Sequence, residues 1–225
     1  MSGDALVSVI LPVRDGEAFL PEAVDTVLAQ TGVRVEVIVV EDGSRDASAA
    51  IARGYGPPVR CMSIEPRGLG HARNLGLEAA GGEYVTFLDV DDLWPSDRLA
   101  VQLDAIEASP TPDLVFGHEL RLPSDGAGPR PARNTTTVLL RRSTYERVGP
   151  FPTEWHVGEF LDWLLRAQEL GLTTTMLPNV ACYRRVHGGN LTIRARGDYG
   201  DYAKILGRAL ARRRAGIHGA LPRNR

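Results

Sequence analysis

At 225 residues the chain fits one domain with a sizeable core, and 43% hydrophobic with 24% charged residues is an ordinary globular composition. The net charge of −2 conceals an asymmetry. Seven of the 26 basic residues and none of the 28 acids lie from Ala203 onward, so the remainder carries 19 against 28, a balance of −9. An acidic body argues against nucleic-acid binding, and the basic tail allows at most peripheral contact with an anionic membrane surface.

Val7 to Leu11, ended by Pro12, reads as a first strand, and helical spacing follows from Pro21 to Gln30. Val35 to Val40 is a second strand running into Glu41-Asp42-Gly43-Ser44, followed by a short helix from Asp46 to Arg53. Val59 to Ile64 is a third strand, Leu69 to Ala80 a helix, Tyr84 to Leu88 a fourth strand, Pro95 to Ser109 a helix and Asp113 to Phe116 a fifth strand. This alternation predicts an α/β protein with a largely parallel sheet. Right-handed crossovers then put the ends after Leu11, Val40 and Leu88 on one edge. Beyond Gly117 the rhythm breaks. Leu122 to Asn134 is rich in Pro, Gly and Arg and reads as a loop placed to cover a site. Thr135 to Leu140 and Thr173 to Leu177 read as strands flanking a helix from Gly158 to Leu170. Val180 to Val186 reads as a further strand and Tyr199 to Arg214 as a terminal helix. The expected organisation is one domain over residues 1–202, with a nucleotide-binding half at 1–117 and an acceptor-side half at 118–202, then a basic helix or tail at 203–225.

Cys61 and Cys182 lie in apolar strand-like runs, as buried free thiols do. With no secretion signal and no run of about 18 apolar residues, the expected location is cytoplasmic.

Three carboxylates, Asp89, Asp91 and Asp92, stop the fourth strand abruptly. Acids at the C-terminal end of such a strand face the crevice where open α/β sheets bind ligands. In an extended segment Asp89 and Asp91 point to the same side, so this D-x-D motif can offer two hard oxygen ligands to one divalent ion, Mn²⁺ or Mg²⁺, that holds a diphosphate. The competing role is structural, with Asp92 or Ser96 capping the following helix. Pro12-Val13-Arg14-Asp15, Glu41-Asp42-Gly43-Ser44 and the turn Pro66 to Asn74, with Arg73 inside it, fall on the same rim. A helix N-terminus with nearby glycines and arginines suits phosphate.

Together these stretches resemble family 2 glycosyltransferases. The matching segments are VSVILPVRDGEAFLPEAVDTVLAQT, VEVIVVEDGSRDAS, PRGLGHARNLGLEAAGGEYVTFLDVDDLWPSDRL, RRSTYERVGPF, FLDWLLRAQELG and YRRVHGGNLT. The resemblance implies a GT-A fold: a Rossmann-like, mostly parallel mixed sheet flanked by helices. It implies inverting transfer of a sugar from a UDP- or dTDP-linked donor to an acceptor hydroxyl. By the family's pattern Pro12 and Arg14 border the base, Asp42 binds it, Arg73 lies near the phosphates, Asp89 faces ribose or metal, and Asp91 is the principal metal ligand. His187, before Gly188-Gly189, resembles the family's His-x-x-Asn segment, where it completes the metal shell or meets a phosphate oxygen; an ordinary turn histidine is the alternative. The family's usual catalytic Asp is replaced here by Phe160, which leaves Glu159 or Asp162 as the base. Glu159, nearer the helix start, is preferred. Asp162 is spaced to pair with Arg166.

Phe160 also motivates a second class of function, a nucleotide-sugar-binding pseudoenzyme. A third class, nucleotidyl transfer, would call for a Gly-rich N-terminal loop with a following basic residue, which this chain lacks. The acceptor class stays open among glycans, lipid carriers, metabolites and peptides.

Overall fold

The computed structural model describes residues 5–108, 111–190 and 200–216. Its centre is β1 (Leu6–Val13), flanked in parallel by β2 (Arg34–Asp42) and β4 (Tyr84–Phe87), with β3 (Val59–Ile64) parallel outside β2. The register Pro12↔Val40 and Ile10↔Phe87 brings the carboxyl ends of these strands to one rim, as the alternating pattern predicts. The sheet then turns antiparallel. β7 (Leu139–Arg141) pairs with β4 and with β5 (Leu114–Leu122), and β8 (Thr174–Arg185) runs parallel to β5. The strand order is β3-β2-β1-β4-β7-β5-β6, where β6 is Arg130–Pro131.

Strand periodicity divides the core into two layers. Val7, Val9 and Leu11 pack under α1 (Leu20–Leu28), α2 (Ser48–Gly54) and α4 (Arg98–Glu107). Ile10, Val85 and Phe87 meet α3 (Leu69–Ala79), α5 (Arg142–Val148) and α6 (Glu159–Glu169) on the other face. Gly76 lets α3 lie flat on the sheet, since a Cβ there would come within 2.5 Å of Ile10 Cγ2. The terminal helix α7 (Gly200–Arg214) packs against α6.

Several expectations, most of them for the second half, are corrected. Thr173–Leu177 and Val180–Val186 form one strand, because Gly117 accommodates a register shift opposite Asn179 and Ala181 that absorbs Pro178. Thr135–Leu140 is not a strand throughout. The Asn134 side chain accepts from Thr137 N at 3.1 Å and holds Thr135–Thr137 in a 3₁₀ turn before β7 begins. The fourth helix starts at Arg98, not Pro95, and neither Asp92 nor Ser96 caps it. Helix α5, closed by Gly149 at φ 87°, was read from sequence only as part of a family segment. The stretch Leu122–Asn134 is largely an excursion from β5 that returns through β6, tied by Arg130 and Asp125 at 3.0 Å; only Arg133 and Asn134 reach the cleft below.

Within the described part of the basic tail, residues 203–216, arginines pair with the rest of the chain. Arg212 pairs with Glu169 at 2.8 Å and Asp162 at 3.4 Å, while Arg208 pairs with Glu154 and lies over the Trp155 ring. Among the described residues no helix is long and apolar enough to cross a membrane. Both cysteines are free; Cys182 is buried and Cys61 half-buried.

Candidate active site

A cleft of about 580 Å³ opens along the rim. Pro12 and Arg14 enter it from the end of β1. The turn that follows is ordered by the β2–α2 connection. Asp15 N donates to Ser44 Oγ, Gly16 N to Ser48 Oγ and Glu17 N to Asp46, and Asp15 in return accepts from Arg45 N. Asp15 holds φ 51° within this exchange. Asp42 is buried and does not line the cleft. Its two carboxylate oxygens accept from the N–H groups of Arg67 and Gly68 at 3.0 and 3.2 Å, fixing the turn into α3.

That turn delivers Arg73, which is 2% exposed. Its Nη2 donates to Asp89 Oδ1 at 2.9 Å and to Thr135 Oγ1 at 3.2 Å, and its Nη1 pairs with Glu159 Oε1. One buried cation thus joins the end of β4 to the start of α6. Among the described residues Arg73 Nε has no partner.

Asp89, Asp91 and Asp92 all line the cleft. Asp89 keeps 38% of its side chain open inside the cavity. Burial raises its pKa, opposed by Arg73 and reinforced by Asp91. Asp91 Oδ2 lies 3.1 Å from His187 Nε2 and accepts from Asn190 Nδ2 at 2.7 Å; His187 N donates to Asn190 Oδ1 at 2.7 Å. The His187 ring stacks on Phe19 with centroids 5.0 Å apart. Asp92 turns inward, accepting from Arg185 N at 3.1 Å with Cys182 Sγ at 3.5 Å. Burial, then the fields of Asp89 and Asp91, push it up to about 8.

Glu159 lines the same cleft from the first turn of α6, while Phe160 turns into an aromatic cluster with Phe116, Phe151 and Trp163. Asp162 is not in the cleft. It is buried behind α6, paired with Arg166 at 3.3 Å and with Arg212.

Of the residues singled out from sequence, Pro12, Arg14, Arg73, Asp89, Asp91, Glu159 and His187 therefore share one cavity, and Asp42 and Asp162 lie outside it. Phe19, Thr135 and Tyr202 line it without having been singled out. Tyr202 belongs to an amphipathic helical pattern in which a cleft aromatic cannot be told from a core one, and Phe19 is the residue just before α1. Among the described residues no three His, Cys, Asp or Glu side chains form a metal-holding group. Asp91 and His187 meet, while Asp89 is turned to Arg73.

A mostly parallel sheet between helices, with acids gathered at the carboxyl ends of its strands, is the GT-A architecture of nucleotide-sugar transferases. Solved structures share it. An S. aureus TarS fragment in complex with UDP-GlcNAc superposes with a TM-score of 0.78 at 20% identity, over 94% of this chain and 66% of that one. The mannosyltransferase PcManGT from Pyrobaculum calidifontis, in complex with GDP-Man and Mn²⁺, gives 0.73 at 21% identity, over 93% and 66%. In sequence, residues 8–161, more than half of the chain, match glycosyl transferase family 2, and the chain belongs to that family. An uncharacterized glycosyltransferase of Rickettsia typhi, RT0329, is 38% identical over 117 residues, covering 51% of this chain and 37% of the relative. One from Nostoc, alr2836, is 27% identical over 212 residues, covering 82% and 66%. The chain thus matches little more than a third of the length of the Rickettsia relative.

Proposed function

We propose that the cleft transfers a sugar, with inversion, from a nucleoside-diphosphate donor to an acceptor hydroxyl, with UDP- or dTDP-sugars as the expected donors. The observation that carries this reading is that one cavity holds both the Asp91–His187–Asn190 cluster and the Glu159 carboxylate, with Arg73 bridging Glu159 to Asp89. The nucleotide complexes of TarS and PcManGT support it, as does a Mycobacterium tuberculosis glucosyl-3-phosphoglycerate synthase in complex with Mn²⁺ and UDP.

The donor set suits a hard divalent cation. Asp91 and His187 offer an oxygen and a nitrogen on one spot, Asp89 is paired with Arg73 through Oδ1 and leaves Oδ2 out of that pair, and the remaining ligands are those a diphosphate and water supply. Mn²⁺ or Mg²⁺, when bound, neutralises charge on the leaving diphosphate. Arg73 contributes a fixed positive charge on the same side. Pro12, Arg14 and Asp42 are assigned to the base. Pro12 and Arg14 do so from the wall, and Asp42 by fixing the Arg67–Gly68 turn or by reorienting toward the nucleotide.

Glu159 is assigned the proton. As the acceptor oxygen attacks the anomeric carbon and the bond to the diphosphate breaks, the hydroxyl proton passes to the carboxylate. Arg73 holds Oε1, and Oε2 is the oxygen assigned to the hydroxyl. Asp162, the other candidate, is occupied by two arginines. A carboxylate one residue before Phe160, on the cleft wall, counts against the non-catalytic reading. The test is turnover of UDP-sugars with Mn²⁺: EDTA should stop it and Asp91→Ala should reduce it to background. Full activity in Asp91→Ala would remove the metal assignment.

A further inference from the structure

Helix α7 lies beyond the stretch matched to the family, yet Tyr202 from its first turn lines the cleft beside Glu159. The chain is built to bring it there. Asp201 accepts from His156 N at 3.0 Å, tying the start of α7 to the segment that enters α6. Gly158, immediately before Glu159, sits at φ 89°, and a Cβ there would come 3.2 Å from Tyr202 Cε1 and 2.8 Å from Ile205 Cδ1. The absent side chain is the space that the Tyr202 ring uses. Burial and then the Glu159 carboxylate raise the phenol's pKa, consistent with the two groups being neighbours.

Next to this ring, Val157, Leu161 and Leu164 face the same cavity. Three of the cavity's other acids, Asp89, Asp91 and Asp92, follow the end of β4. An apolar wall beside the group that takes the acceptor's proton is not what a fully hydrated sugar or a small polar metabolite needs; it favours a partner with apolar surface to bury. We propose that Tyr202 closes an apolar acceptor subsite with Val157, Leu161 and Leu164, and that the acceptor carries its hydroxyl next to a hydrocarbon or aromatic aglycone. The proposal rests on reading the cleft as a nucleotide-sugar transferase site.

The test uses the full chain saturated with UDP and Mn²⁺, so that the donor end is filled, and compares binding of methyl and hexyl β-glucoside by calorimetry. The hexyl compound should bind roughly tenfold more tightly or better, since five added methylenes leave water. Tyr202→Ala should cut that preference to about threefold or less, and Tyr202→Phe should keep it. Leu161→Ser, at a half-exposed wall position, should also lower it without depending on α7 staying docked. Equal affinity for the two glucosides in the parent protein, or a hexyl preference that survives both Tyr202→Ala and Leu161→Ser, would overturn the subsite. If UDP and Mn²⁺ themselves fail to bind, the donor reading has failed. If they bind and only the chain-length preference is missing, the subsite alone has failed.

Discussion

Glu159 and Asp162 are three residues apart on α6, and their partners separate their fates. Both are nearly inaccessible, but Glu159 faces the cavity through the Arg73 pair, whereas Asp162 compensates Arg166, whose guanidinium also donates to the Val148 and Pro150 carbonyls. Replacing one acid should therefore damage chemistry and replacing the other should damage folding. Glu159→Gln is expected to lower turnover by about 10²–10³-fold while leaving UDP and Mn²⁺ affinity intact, read from steady-state kinetics and calorimetry. Asp162→Ala leaves a buried arginine with less compensation and should cost about 3 kcal/mol in denaturant unfolding. The reverse assignment would show turnover lost in a stably folded Asp162→Asn and retained in Glu159→Gln. Asp92 makes a separate pH prediction. Its folded pKa, about 8, lies above the ordinary value near 4, so between these the folded state holds a proton that the unfolded state has lost. Metal-free protein should lose stability as pH rises through that window, by at most about 1.4 kcal/mol per unit, and Asp92→Asn should flatten the slope in pH-dependent thermal melts.

Among the elements, the parallel half was legible because its signals are local. Val7–Leu11, Val35–Val40 and Val59–Ile64 are short β-branched runs between helical patterns, and their ends mark the rim. The second half was legible only in part: the helices at 159–169 and 200–214 follow the pattern, but long-range contacts override the local signals at Thr135–Thr137 and Pro178. Three threonines with good strand propensity are turned by the Asn134 cap, and Pro178, a break on paper, is taken up by the irregularity opposite Gly117. The candidate site divided the same way. Acids at strand ends could be located from pattern alone. The pairing of Arg73 with Glu159 joins residues 86 apart in sequence, and Tyr202 depends on how α7 docks. That docking is itself testable at Gly158. Gly158→Ala combines a left-handed backbone with contact on Ile205 and should cost about 1–3 kcal/mol. The melting temperature should fall by about 2–4 °C for each kcal/mol. An unchanged melting temperature would mean that α7 does not press on this position.

At the scale of the whole molecule, the fold gathers Asp89, Asp91 and Glu159 around a single cavity in which Arg73 is a buried countercharge. Such a concentration of like charge weakens the unliganded state, and a ligand that restores balance binds the folded chain and not the unfolded one. Mn²⁺ together with UDP at about 100 times the dissociation constant should add roughly 2.7 kcal/mol of apparent stability, a rise of about 5–10 °C for a chain of this size. UDP alone should give a smaller rise, because the diphosphate then meets the acidic rim without the cation between them. Asp91→Ala should melt within a few degrees of the parent protein when unliganded, yet lose the part of the shift that Mn²⁺ adds. Scanning calorimetry of the four combinations of ion and nucleotide separates these contributions. A UDP shift that is the same with EDTA as with Mn²⁺, in the parent protein and in Asp91→Ala alike, would show that the acids at the strand ends hold no ion and that the donor is bound by Arg73 and the backbone turns.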